Sequence, residues 1–168
     1  GAALALVAYV RHRLAGIALE RDEGEYAYVG QLILRGIPPY SLAYNMKFPG
    51  TYYAYAAVMA VFGQTAWGIR AGLLVVNGAC IALVFALGRR IAGILAGGVA
   101  AATFAILTLD RWTMGPFAHA THFVLLPSLA SWWLLDRGLR AGRAWLLVVA
   151  GALMGAAGGA FVRREFSR

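Results

Sequence analysis

Four apolar runs, Ala71–Gly88, Ile91–Leu109, Phe123–Leu135 and Trp145–Val162, follow one another with only short breaks and leave this chain little choice of fold. A helix rises about 1.5 Å per residue, so the longer runs approach the ~30 Å of a bilayer's hydrocarbon, while Phe123–Leu135 is shorter and could extend back toward His119. With 61% hydrophobic and 13% charged residues and a mean hydropathy of +0.69, the 168-residue chain is too apolar for a soluble domain of its size. The expected fold is therefore all-α: a polytopic integral membrane helix bundle, one membrane domain over residues 1–168. Residues 1–10 add about ten apolar positions. That is a partial first span or one that begins upstream, and it lacks the basic leader of a signal peptide.

The breaks between runs fix an expected topology. Arg89-Arg90 and the stretch from Asp136 to Arg143 are short, arginine-rich and on the same side of the count, so the positive-inside rule puts them in the cytoplasm. Residues 11–69 and the second loop, Asp110–His122, then face the other compartment. The tail Arg163–Arg168 would end outside too, against the rule. The formal charge of +8 is scattered at the ends of apolar runs and forms no stripe, which argues against nucleic acid and for anionic lipid as a partner. The one cysteine, Cys80, lies inside an apolar run, so no disulfide or cysteine metal site is available. Small residues four apart, Gly93 with Gly97 and Gly151 with Gly155 and Gly159, predict close helix packing within this chain or with other membrane subunits.

Residues 11–69 carry the polar chemistry. Glu20, Asp22, Glu23 and Glu25 are four of the chain's seven acids, and seven of its eight tyrosines fall between Tyr26 and Tyr55. Asp22 followed by Glu25 three positions on fits a helix start, with Tyr26, Val29 and Ile33 on one face below it. That helix is expected to reach Arg35 and stop at Gly36, before Pro38-Pro39. Pro49-Gly50 opens a second short run, Thr51–Gly63, with tyrosines at 52, 53 and 55. Both are too short to cross a bilayer and are expected to lie at its interface, where tyrosine prefers to sit.

Two readings of Asp22 follow from the residues alone. It caps the helix while Glu23 and Glu25 complement the helix dipole. Alternatively, a carboxylate beside a hydrophobic bundle serves as general base toward a substrate whose head projects from the bilayer. In the second loop, His119 and His122 are spaced to share a helix face. They could hold a metal, a phosphate or a haem-type pigment, or bond to backbone and headgroups.

The run Arg21-Asp22-Glu23-Gly24-Glu25-Tyr26-Ala27-Tyr28-Val29-Gly30-Gln31, followed by Gly36-Ile37-Pro38-Pro39-Tyr40 and Lys47-Phe48-Pro49-Gly50, resembles the first extracytoplasmic loop of the GT-C membrane glycosyltransferases. Within that family it is most similar to the branch of the lipid A aminoarabinose transferase and the protein O-mannosyltransferases. The order of elements agrees, including the helix announced by Gly68-Ile69-Arg70-Ala71-Gly72. The resemblance implies transfer of a sugar, with inversion, from a polyprenyl-phosphate donor to an acceptor hydroxyl at the extracytoplasmic face of a bacterial inner membrane. It makes Asp22 the catalytic carboxylate. Glu23 would assist in the sugar or acceptor pocket, and Lys47 would meet the donor phosphate. Arg70 is a candidate for lipid or donor phosphate and His122 a further substrate contact. A divalent metal is left open. The alternative from a different class is a truncated, non-catalytic subunit of a larger membrane complex, with the acidic segment kept only as a folded cap.

Overall fold

A computed structural model describes residues 2–14, 16–43, 47–110 and 115–161. The described residues form six helices and no strands: α1 (Ala2–Leu14), α2 (Arg21–Leu34), α3 (Pro49–Phe62), α4 (Ala66–Leu107), α5 (Ala120–Ala141) and α6 (Ala144–Phe161). One of them, α4, is long and apolar enough to cross a membrane by length and composition, and only 28% of its apolar window is buried within the protein. An ordinary core helix would be buried on most sides, so most of α4's apolar surface lacks a protein partner in this chain.

The two short helices begin and end close to the sequence expectation, but α2 starts for a different reason. Its N-cap is Glu20, whose carboxylate accepts from Asp22 N at 2.9 Å, while Glu23 reaches back to accept from Glu20 N at 2.9 Å. The capping box is therefore Glu20 with Glu23, and the cap role assigned to Asp22 is corrected. Moving the box two residues upstream turns the Asp22 side chain loose from its own helix end. Helix α3 begins with Pro49 at its first turn, where the missing N–H costs nothing, and ends at Gly63 with φ 93°.

Helix α4 starts at Ala66, capped by Thr65 Oγ1 accepting from Gly68 N at 3.1 Å, several residues before the expected span. Arg89 and Arg90, expected to form the turn between two spans, are helical. The chain reverses instead at Ala92 and Gly93, where Gly93 takes φ 88°, a conformation open to glycine and strained for arginine. The two limbs then pack face to face. A Cβ on Gly97 would stand 2.5 Å from Arg89 N, so only a glycine admits this approach. Val7 of α1 joins Ile81, Ala101 and Ala105 in a small apolar cluster across the limbs. Of the small-residue positions, Gly97 thus packs within this chain, whereas Gly151 and Gly155 face open space.

Asp136 to Arg140, read from the sequence as part of a turn, continue α5. Arg140 Nε donates to Asp136 at 2.9 Å one turn earlier, and the break comes at Gly142 in the left-handed region. Helix α6 then folds back on α5, where Ser131 Oγ donates to Ala150 O at 2.7 Å. Arg90 pairs with Asp136, which brings the two arginine-rich turns to one end of the molecule. Arg11, expected in the outer loop, is part of α1 and buried. The tail Arg163–Arg168, the end of the last expected span at Val162, and Arg111 of the second loop lie outside the described residues.

Candidate functional site

The largest buried cluster lies where α2 and α3 cross and the segment before α5 comes down on them. Tyr26, Tyr52 and Tyr55 form its centre, with Val29, Met59, Ile69, Leu73 and Ala118 around them. The helices approach closely at Gly30: a Cβ there would press on the α3 backbone at Ala56 N, 3.1 Å away, as well as on Met59 Cε at 2.6 Å. Tyr26 stacks at 5.9 Å from Tyr52 and 5.4 Å from Tyr55, tilted and edge-on geometries worth about 0.5–1.5 kcal/mol each beyond burial. This rigid floor supports two neighbouring carboxylates with different surroundings.

Glu23 points down. Its carboxylate accepts from Glu20 N, from Ala118 N and from Arg70 Nη2 at 2.8 Å. The Glu23 and Arg70 side chains retain 1% and 5% exposure. Phe117 covers the guanidinium at 5.4 Å, and Tyr55 donates its hydroxyl to Ala118 O. One buried ion pair therefore ties α2 to α4 and pins the backbone entering α5. The structure brings the predicted residues Glu23 and Arg70 together, but beneath the surface, holding elements in place.

Asp22 points out. Lys47 Nζ lies 3.2 Å from Asp22 Oδ2 and 3.5 Å from Glu25 Oε2, and 4.6 Å above the Tyr26 ring. His119, the N-cap residue of α5, brings Nε2 to 3.7 Å from the same Asp22 oxygen. Tyr52 donates to Glu25 at 3.0 Å, and Tyr40 donates to the Lys47 carbonyl. Tyr40 does so from φ 70°, a costly backbone conformation for a tyrosine that turns the chain back toward α2.

Burial alone would push the Asp22 carboxyl up. Lys47 and then Arg21 outweigh it and hold the group below its ordinary range, so it is an anion near neutrality. Lys47 loses some stabilisation to burial, but Tyr26, Asp22 and Glu25 raise it above its ordinary value, so it is a cation. Burial and the neighbouring Glu25 push the Tyr52 hydroxyl far up, which keeps it a proton donor.

His122 takes a different environment from His119. It is buried and lines a cavity of about 180 Å³ with Phe104, Leu107, Thr108, Gly115, Thr121 and Leu125. Of the predicted site residues, Asp22 and Lys47 share one surface, Glu23 and Arg70 lie under it, and His122 lines this separate cavity. Among the described residues no three His, Cys, Asp or Glu side chains converge to hold a metal ion.

Sequence reasoning gave Glu25 and Tyr40 no place in this surface. It raised His119 only as a partner for His122. Tyr40 follows Pro38-Pro39, a turn signal that foretells a reversal but not a clamp on Lys47.

Comparison with known proteins gives a distant and partial likeness. Over 138 aligned residues the sequence is 29% identical to the undecaprenyl phosphate-alpha-4-amino-4-deoxy-L-arabinose arabinosyl transferase of Pseudomonas aeruginosa (strain UCBPP-PA14). The match covers 76% of this chain and 25% of that protein, so the chain spans about a quarter of its relative's length. No family model and no solved structure matches. The likeness supports a GT-C-like relationship at this general level.

Proposed function

We propose that the chain forms the substrate-facing part of a membrane glycosyltransferase that moves a sugar from a polyprenyl-phosphate donor to an acceptor hydroxyl. The relative's name identifies an undecaprenyl-phosphate-linked sugar as its substrate class, and the acidic and tyrosine-rich segment supplies groups suited to one. The observation that carries the reading is the Asp22–Lys47 pair at 3.2 Å, mounted on a rigid aromatic floor with His119 alongside.

In this reading Asp22 accepts the proton of the acceptor hydroxyl as its oxygen bonds to the anomeric carbon. The bond from that carbon to the phosphate oxygen breaks on the opposite face, and the electron pair leaves with the phosphate. Lys47 stabilises that charge, a task suited to a mobile point cation. Lys47 is neutralised by Asp22 and Glu25. Drawing its ammonium toward a phosphate removes the main influence that lowers Asp22, so the carboxylate becomes a stronger base as the donor arrives. Glu23 and Arg70 position this surface and do not touch the sugar.

The polytopic arrangement belongs to the same proposal. The two limbs of α4, together with α5 and α6, form spans, with α2 and α3 at the outer interface and the arginine-rich end in the cytoplasm of a bacterial inner membrane. Exposed Ile91, Leu95, Val99 and Val148 suit a lipid or protein neighbour, and the arginine end suits anionic lipid. The open face at Gly151 and Gly155 favours a second reading, docking onto another membrane subunit without catalysis.

One experiment separates the two. Sugar transfer from a polyprenyl-phosphate donor is assayed in membranes carrying the full chain or Asp22→Asn. A loss of about 10²–10⁴ in rate with unchanged protein level supports the catalytic reading. Absence of transfer by the wild type in the presence of donor and acceptor lipids would leave the docking reading standing.

A further inference from the structure

A second polar region lies apart from Asp22 and Lys47, where α1 meets the ends of the second loop. Arg11 retains 6% exposure. Its Nη2 donates to Thr108 O at 3.1 Å and to Gly115 O at 2.9 Å, which closes the neck of that loop. Its Nε and Nη1 are buried without a hydrogen-bond partner. No carboxylate pairs with Arg11 among the described residues, and Glu23, the one carboxylate that is fully buried, is already held by Arg70. Arg70 itself adds repulsion at Arg11.

Nearby, Asn77 is buried, with its Nδ2 also lacking a partner and its Oδ1 3.5 Å from Thr108 Oγ1. These orphaned atoms are all hydrogen-bond donors, and among the described residues the fully buried charges, Arg11 and Arg70 against Glu23, leave one surplus cation. An isolated buried charge is costly, and water can satisfy the donors but cannot cancel the charge. An oxyanion does both. Thr108 and Gly115, whose carbonyls hold Arg11, also line the cavity of about 180 Å³ shared with Thr121 and His122.

We propose that Arg11, with Asn77, forms an anion-binding site for a single phosphate group, beside the cavity lined by Thr108, Gly115 and His122 and normally filled by the phosphodiester of an anionic lipid headgroup, one with no ammonium of its own to offset the phosphate charge. A phosphodiester carries one negative charge and unshared oxygens, matching one surplus cation and a set of donors that lack acceptors. The site does not depend on the glycosyl-transfer reading, since neither Asp22 nor Lys47 takes part.

The test uses the full chain in nanodiscs of phosphatidylcholine alone or with phosphatidylglycerol. Thermal unfolding is followed in each, and bound lipid is read by native mass spectrometry. A ligand held by the folded state raises the unfolding midpoint. The wild type is expected to unfold several degrees higher with phosphatidylglycerol and to retain a phospholipid.

Arg11→Met should lose both the increment and the bound lipid. Arg13→Met, which removes the same charge from an exposed position, should keep them. If Arg11→Met fails to fold, Asn77→Leu, which removes a donor without altering charge, should reduce the increment. A matching rise with inorganic phosphate in lipid-free detergent would support the phosphate site while assigning it to free phosphate. Equal midpoints in the two lipids for the wild type would overturn the proposal, as would an increment lost equally in Arg11→Met and Arg13→Met.

Discussion

Asp22 and Glu23 are adjacent in the sequence and opposite in circumstance. Glu23 is sealed, triply hydrogen-bonded and paired with Arg70, whereas Asp22 keeps 20% exposure and shares its counter-ion with Glu25. Both are ion pairs between an acid of α2 and a distant base, yet they differ in what loss of a partner means. Removing one member of the buried pair strands a charge where water cannot reach it. Removing one member of the exposed pair leaves a group that solvent can still stabilise. Stability should therefore reside in Glu23 and chemistry in Asp22.

The largest effect tests the buried half. Glu23→Gln leaves the Arg70 charge uncompensated and weakens the hold on Ala118, at an expected cost of about 3–5 kcal/mol in unfolding free energy. Replacing both partners, Glu23→Gln with Arg70→Met, should recover part of that cost, because no bare charge remains. Thermal unfolding of the single and double variants in detergent measures this. A wild-type midpoint for Glu23→Gln would erase the proposed contrast.

Asp22→Asn probes the other half. Since Asp22 does not cap α2, the substitution should change stability by under about 1 kcal/mol, the scale of exposed pairs. Sugar transfer should nevertheless fall by about 10²–10⁴. The combination matters more than either number, because a cap role predicts the reverse pattern. An Asp22→Asn protein that transfers sugar at the wild-type rate would end the assignment of a base.

A smaller and more selective effect is expected at Lys47, whose side chain is 36% exposed. Lys47→Met should lower stability by no more than about 1 kcal/mol and raise the donor KM more than tenfold. The acceptor KM should stay nearly unchanged. If donor and acceptor KM rise together, Lys47 shapes the whole surface and does not hold a phosphate.

Much of this division could be read from the chain and much could not. The ends of α2 and α3 follow from Pro49, Gly36 and Gly63, whose backbone preferences act locally. The reversal at Gly93 carries a local signal too, a glycine open to positive φ, whereas Arg89-Arg90 has no backbone preference against continuing the helix. The Glu23–Arg70 pair spans 47 positions and the Ala118 contact 95, and no periodicity encodes such contacts. A one-position difference decides which carboxylate points inward, and that depends on Glu20 starting the helix where Asp22 could equally have done so.

The smallest effect is pH dependence. The Asp22 carboxyl lies below its ordinary value of 3.8 when folded, so its pairing contributes stability above that value and loses it as pH falls through the lowered one. Lys47 lies above its ordinary 10.5, so its share is present below 10.5 and disappears as pH rises through the raised value. The difference in unfolding midpoint between wild type and Lys47→Met should thus stay flat between about pH 5 and 9 and shrink only beyond both ends. That difference stays small because Asp22 and Glu25 are only partly buried, so solvent still stabilises both carboxylates once Lys47 is removed. A midpoint difference that instead changes steeply near neutrality would mean that the Asp22–Lys47 pair does not govern the charge of this surface.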